Sequence, residues 1–217
     1  MGVNYSSSRE AADRVVADIE QAGGHALAIQ ADVGDVDAVQ HLFEVVDDQL
    51  GPLTALVNNA AIHGPRGRVD ALSVQALREV LAVNVVGLVA CCQHAVQRMS
   101  TRAGGQGGSI VNISSGAAYM GVPGVGVHYA LSKGAVNSFT IGLSQEVAGE
   151  GIRVNTVSPG PTRTDMFASD ELGPAAASIP MGRVGEPDEI AEAVLWLLSD
   201  RASFVAGANL RAAGGRP

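Results

Sequence analysis

Short apolar runs of strand type alternate with helical patterns along the whole chain, and that alternation limits the fold more than any other feature. Val3-Asn4-Tyr5 reads as a strand stub, and the polar Ser6-Ser7-Ser8 after it is able to cap a helix. Residues 9–22 repeat apolar positions at helical spacing through Ala12, Val15, Val16 and Ile19 until Gly23-Gly24 stops them. A short strand over residues 26–30 ends at Asp32-Val33, and a second helix carries Val36, Val39, Leu42, Phe43, Val46 and Leu50 on one face before Gly51-Pro52. Residues 53–57 are a buried-type strand running into Asn58-Asn59-Ala60-Ala61. One long helix is expected over residues 73–102; it is uncharged from Leu81 to Cys92, which implies burial against the sheet and a further surface such as a partner subunit.

After the glycine-rich loop at residues 104–108 come a strand at 109–114 and a helix that bears Tyr129 and Lys133 and continues through 136–147. Next is a strand at 152–157, ended by Ser158-Pro159-Gly160. Residues 161–185 read as irregular and long enough for a lid containing Met166, Phe167, Leu172, Ile179, Pro180 and Met181. A helix near 188–198 and a strand near 208–210 complete the pattern. Strands apolar on both faces, alternating with helices, predict an α/β domain over residues 1–217 with a doubly wound parallel sheet. Ligands of such sheets sit at the carboxyl ends of the strands, where Asp32, Asn59, Ser114-Ser115 and Pro159-Gly160 all fall.

Composition narrows the function classes. A net charge of −8 without a basic stripe argues against nucleic acid, and no charge-free apolar run reaches the length of a membrane span. The polar first ten residues contain no signal-peptide core, so cytoplasmic residence is the default expectation. Cys91 and Cys92 are adjacent in an apolar helical pattern and read as reduced packing residues; the scattered histidines give no metal-ligand spacing, so no metal is expected.

One exception in the composition is chemical. Lys133 is the single lysine among 14 lysine and arginine residues, and it stands four residues after Tyr129, one of three tyrosines. In a helix that spacing puts the ammonium and the phenol on one face. Using a tyrosine near neutrality as a proton donor or acceptor requires lowering its pKa by roughly 3, or about 4 kcal/mol. A neighbouring cation lowers it by about 1–3, so a second positive charge, such as an oxidised nicotinamide ring, completes the requirement. An ordinary helix with an exposed lysine and a half-buried tyrosine has the same pattern.

Tyr129-x-x-x-Lys133, preceded by residues 110–115 (Ile-Val-Asn-Ile-Ser-Ser), with Asn58-Asn59-Ala60 upstream and Asn155-x-x-Ser158-Pro159-Gly160 downstream, resembles the short-chain dehydrogenase/reductase family over essentially the whole chain. The resemblance implies a Rossmann-like fold, with Tyr129 as catalytic acid/base and Lys133 holding the nicotinamide ribose and lowering the tyrosine pKa. It implies that Ser115, in preference to Ser114, bonds the substrate oxygen, and that Asn84 holds a proton-relay water. For the cofactor it implies Asp32 and Val33 at the adenine, Asn59, Ala60 and Ala61 at the adenosine ribose, and Pro159, Gly160, Thr162 and Thr164 at the carboxamide and neighbouring phosphate, beside Tyr129 and Lys133. Ala61 departs from the family's more frequent glycine. Asn4, Ser6, Ser7 and Arg9 after the first strand suit a 2′-phosphate, so NADP(H) is expected, with NAD possible. A small alcohol or ketone substrate and a homo-oligomer, dimer or tetramer, follow from the same resemblance.

The family's first strand, glycine-rich turn and helix have no counterpart. Gly105-x-Gly107 precedes a strand, and Gly124-x-Gly126 lacks a third glycine. The reading is therefore of an N-terminally truncated fold lacking about 25–30 residues of the mononucleotide-binding unit, Met1 being an internal start. The absent strand is central in the usual order, so a slot about 9–10 Å wide is expected between the first two strands and the rest. Three functional expectations follow: an oxidoreductase whose cofactor binding is impaired in this chain, a non-catalytic scaffold that kept the family's surface, or an enzyme with a rearranged terminus.

Overall fold

The computed structural model describes residues 1–164 and 172–216, within which six strands and eight α-helices alternate. In order they are β1 (Gly2–Tyr5), α1 (Arg9–Gln21), β2 (Leu27–Gln30), α2 (Val36–Leu50), β3 (Ala55–Asn58), α3 (Val74–Leu81), α4 (Leu88–Met99) and β4 (Gly108–Ile113). Then come α5 (Ala117–Met120), α6 (Val127–Val147), β5 (Ile152–Pro159), α7 (Leu172–Ala177), α8 (Pro187–Leu198) and β6 (Asn209–Ala212). All pairings are parallel, in two sheets: β1-β2, and β3-β4-β5-β6. The alternation has produced the α/β architecture it implied, and no ladder among the described residues joins β1 to β3.

Burial is deepest at β4 and β5. Every residue of β4 after Gly108 is buried, as is the run from Val154 to Ser158 of β5, whereas β3 alternates and leaves Val57 41% exposed. On one face α2, α4 and α6 enclose a core that includes Val39, Phe43, Cys92, Met99, Ile110 and Val136. On the other, Val194 and Leu197 of α8 cover Val111, Ile113 and Val157.

The two sheets are joined through helices. Phe43 of α2 stacks on His94 of α4 with centroids 5.2 Å apart, and the Arg98 guanidinium lies 5.2 Å from the Phe43 ring centre. Arg98 Nε donates at 2.9 Å and its Nη2 at 2.7 Å to Asp47. Asp35 caps α2, accepting from the Asp37 N–H at 3.0 Å.

The single helix expected over 73–102 is interrupted. Between α3 and α4 residues Ala82–Gly87 form a π turn, the wider i→i+5 winding. Two contacts account for its position: the Asn84 amide pairs with the backbone of Ile62, and Gly87 approaches Val33 so closely that a Cβ there would stand 2.1 Å from the Val33 oxygen. By length and composition the 26-residue stretch Val74–Met99, which contains an 18-residue window of mean hydropathy 1.6, also suffices to cross a membrane. Here Leu88, Cys91, Cys92, Ala95 and Met99 face the core instead, while Val74 and Val86 remain exposed. Among its described residues the expected irregular segment contains a short helix, α7; Met166 and Phe167 of the proposed lid lie outside the described residues.

Gly87→Ala is expected to destabilise the chain by about 2 kcal/mol, because the clash is with backbone in a packed core. Thermal unfolding should show Tm lowered by about 4–8 °C; an unchanged Tm would mean the π turn moves away freely.

Candidate active site

Helix α6 places Tyr129, Ser132 and Lys133 on a buried face, at 8%, 0% and 2% exposure. Lys133 Nζ donates to the Ile113 carbonyl at 2.8 Å, at the carboxyl end of β4, and lies 5.7 Å from the Tyr129 ring centre. Ser114 is buried and donates to the Lys133 carbonyl at 3.0 Å, which fixes α6 against the strand end. Ser115 is the one turned to the phenol: it hydrogen-bonds Tyr129 and accepts from the Ala117 N–H at 3.1 Å. The two serines therefore have different partners, Ser114 the backbone of Lys133 and Ser115 the Tyr129 phenol.

Asn84 joins this group through its side chain. Its Oδ1 accepts from the Ile62 N–H at 2.8 Å, and its Nδ2 donates to the Ile62 carbonyl at 2.9 Å and to Ser132 Oγ at 3.0 Å. Ser132 in turn donates to the Tyr129 carbonyl at 2.8 Å. Both amide protons are therefore committed, and a water at Asn84 has only the second Oδ1 lone pair or the backbone carbonyl to bind.

Electrostatically the site differs from the expectation that Lys133 lowers the tyrosine pKa. Burial pushes the Tyr129 phenol up, with the Ser115 hydrogen bond pulling the other way. Burial also pulls the Lys133 ammonium down to about 8. Both groups are driven toward their neutral forms because burial excludes the water that would solvate their charged forms. Cys91 and Cys92 are pushed up by burial to about 11 and about 12, so they stay protonated, as packing residues do.

The remaining sequence candidates lie along the same edge. Asp32 Oδ1 accepts from the Gly34 N–H at 2.9 Å, and a Cβ on Gly34 would meet Val83 at 3.1 Å, so the Asp32-Val33 turn rests on the π turn. Asn59 and Ala60 are exposed and Ala61 half-buried, just before the Ile62 that Asn84 holds. Asn58 anchors that strand end by donating to Asn112 Oδ1 at 2.9 Å. Across the sheet the Pro159 carbonyl accepts from the Gly116 N–H at 3.0 Å, Gly160 N–H donates to Ala212 at 2.9 Å, and Thr162 Oγ1 donates to the Gly160 carbonyl at 3.0 Å. Thr164 is exposed beside Thr162. Asn4, by contrast, spends its amide on the Ile29 and Ala31 carbonyls, at 3.2 and 2.9 Å, leaving the exposed Ser6, Ser7 and Arg9 at that strand end.

Sequence reasoning did not single out Ser132, Ile62 or His63. Ser132 precedes Lys133 directly and was available as a polar residue in a buried helix face. His63 stacks on the Tyr129 ring at 4.9 Å and 23°, from a loop with no periodicity to reveal it.

The pattern of the family described as Enoyl-(Acyl carrier protein) reductase matches residues 2–216. The chain is 46% identical over 220 residues to an uncharacterized oxidoreductase, YgfF, of Escherichia coli (strain K12), with 100% of this chain and 89% of that protein covered. It is 38% identical to 3beta-hydroxysteroid dehydrogenase 1 of Eggerthella lenta, with 98% and 82% covered. A short chain dehydrogenase from Burkholderia cenocepacia J2315, solved in complex with NADP, superposes with a TM-score of 0.92 at 34% identity, over 99% of this chain and 86% of that one.

The lowered lysine pKa has a sign that unfolding can read. Below pH 8 Lys133 is charged in both states and the folded state bears the desolvation cost; between about 8 and 10.5 only the folded state has lost its proton. The stability of the ligand-free chain relative to Lys133→Met is therefore expected to rise by about 3 kcal/mol across that window in urea unfolding. A constant difference would show that the ammonium is not desolvated.

Proposed function

Because the chain belongs to the short-chain dehydrogenase/reductase family, we propose that it transfers a hydride reversibly between a nicotinamide cofactor and a secondary alcohol or ketone. The observation that carries this reading is the meeting of Ser115, Tyr129 and Lys133 at the carboxyl end of β4, with Asn84 tied to the same helix.

In the direction of reduction, the bound cofactor supplies a hydride to the carbonyl carbon. Ser115 hydrogen-bonds the carbonyl oxygen, and the Tyr129 O–H donates its proton to that oxygen as negative charge develops on it. The phenolate left behind is stabilised by Lys133 and reprotonated from solvent, so one ketone, one hydride and one proton give one alcohol. The water of that return path is assigned to Asn84, through the acceptor positions its committed amide leaves. Oxidation runs the same steps backwards.

The residues present fit a nicotinamide nucleotide. Among the described residues the only hydrogen-bond partner of Lys133 Nζ is the Ile113 carbonyl, so two of its three N–H donors are left for ribose hydroxyls. Tyr129, whose phenol burial pushes toward its neutral form, would gain from the positive charge of an oxidised nicotinamide held by Lys133. Asp32 and Val33 are assigned to the adenine, Asn59, Ala60 and Ala61 to the adenosine ribose, and Pro159, Gly160, Thr162 and Thr164 to the carboxamide side. NADP(H) is preferred over NAD(H): Ser6, Ser7 and Arg9 offer hydroxyls and a cation, without a carboxylate at the end of β1 to bond a 2′-hydroxyl. Leu131, Ile141 and Val86, each at least half exposed, support a homo-oligomer, and a monomer in sedimentation would count against it.

The test is NADPH oxidation with a panel of ketones. Tyr129→Phe is expected to reduce kcat by about 10²–10⁴-fold with cofactor binding retained, since only the transferable proton is removed. Equal turnover by the variant would sink the assignment. Competition between the two cofactors should favour NADPH over NADH; the reverse order would reject the assignment of Ser6, Ser7 and Arg9.

A further inference from the structure

Ser115 and Lys133 are not the only groups that define where the Tyr129 phenol stands. The His63 imidazole lies against its ring, 4.9 Å between centroids and 23° from parallel. Several contacts hold His63 there. The preceding residue, Ile62, is clamped at both its N–H and its C=O by Asn84, and the His63 carbonyl meets His128 Nε2 at 3.0 Å. His128 is itself 3% exposed, one residue before Tyr129 on α6, and the two histidine rings meet edge-on at 6.1 Å.

Gly126 supplies an independent observation. A Cβ at this position would stand 2.8 Å from His63 Cε1 and 3.0 Å from its Nε2. Its φ is −171°, extended backbone that any residue adopts, so the conformation does not call for glycine. What the missing side chain leaves is room for the imidazole at the start of the helix that carries Tyr129.

We infer that His63 is a positioning residue for Tyr129, its stacked ring holding the phenol in the orientation from which the proton is delivered. The inference rests on the reading of Tyr129 as the acid/base. A tyrosine ring has a broad, two-fold χ2 well, and one hydrogen bond at the hydroxyl tethers the oxygen without fixing the ring plane. A misplacement of about 1 Å at a reacting group costs on the order of 10² in rate. Stacking adds the missing restraint, and the clamp that places His63 also reaches Ser132 of α6, which bonds the Tyr129 carbonyl, so the ring and the backbone of Tyr129 are referred to the same amide.

The test uses the 217-residue chain, four test variants (His63→Ala, His63→Phe, Gly126→Ala and the Gly126→Ala/His63→Ala pair) and Tyr129→Phe as the assignment control. With three tyrosines in the chain, the Tyr129 ring signals are assigned in an NMR spectrum of tyrosine-labelled protein by their loss in Tyr129→Phe. His63→Ala is expected to shift those signals and to speed ring flipping, whereas His63→Phe, which keeps a stacking face, retains slow flipping. At saturating NADPH, His63→Ala lowers kcat by about 10–100-fold with little change in KM for the ketone, and His63→Phe restores most of it. Gly126→Ala falls toward the His63→Ala value, and the double variant falls no further, because both changes remove one stack. Unperturbed Tyr129 signals in His63→Ala, an unaltered kcat, or losses that multiply in the double variant would overturn the inference. If no form of the chain reduces any ketone, the oxidoreductase reading fails, and the ring signals alone still decide whether His63 positions Tyr129.

Discussion

A single ammonium held out of water at the end of β4 sets the conditions for the residues around it. Burying a charge costs several kcal/mol, and the Lys133 Nζ recovers part of that through one hydrogen bond, to the Ile113 carbonyl. Holding it there takes the Ser114 bond to the lysine backbone and the packing of α6 on the sheet. The same exclusion of water raises the Tyr129 pKa, so phenol and amine are both pressed toward neutrality. A site in that condition is arranged in space but incomplete in charge. The group that completes it has to bring both hydroxyls for the ammonium and positive charge for the phenol, which are the two properties of a ribosyl nicotinamide.

The π turn is the mechanical counterpart of that electrostatic arrangement. A regular helix through residues 82–87 would rotate every later residue of α4 relative to α3. The wider winding instead lets Asn84 face the Ile62 backbone and Ser132 while Gly87 closes on Val33. One irregular turn therefore touches the Asp32-Val33 turn, the loop carrying His63 and the helix carrying Tyr129 and Lys133. Burial of these polar groups is tolerated because each finds a partner; Asn84, 1% exposed, makes three hydrogen bonds.

How much of this was legible in the sequence depended on whether a residue belonged to a periodic element. Strands β4 and β5 announced themselves as apolar runs, and Tyr129, Lys133 and Ser115 stood at fixed spacings that a helix and a strand end convert directly into proximity. The π turn was not legible, because its residues are as apolar as an α-helix and its cause lies in two distant partners, Ile62 and Val33. Gly87 was the one available sign, a glycine inside an apolar helical run, where close backbone approach is the usual reason for the residue. His63 was invisible for a different reason. Loops have no period, so a side chain that folds back on a ring 66 positions away in sequence leaves no pattern, and only the unstrained Gly126 betrays the space it takes.

The division of the sheet gives the two ends of the site different mechanical footing. Ser115, Tyr129, Lys133, Pro159 and Gly160 hang from β4 and β5, which are paired on both sides and buried on both faces. Asp32 and Val33 hang from β2, whose only described ladder is to β1, a strand with alternate residues exposed. What registers the second group against the first is packing: the side chains of Phe43 and Asp47 of α2 against His94 and Arg98 of α4, and the close backbone approach of Gly87 to Val33. Hydrogen-bonded ladders resist sliding residue by residue, whereas a helix–helix contact shifts as a body when its side chains repack. Ser115, Tyr129 and Lys133 thus stand in the half whose strands are paired on both sides, and their distance from Asp32 and Val33 is set by the packing of α2 on α4 and of Gly87 on Val33.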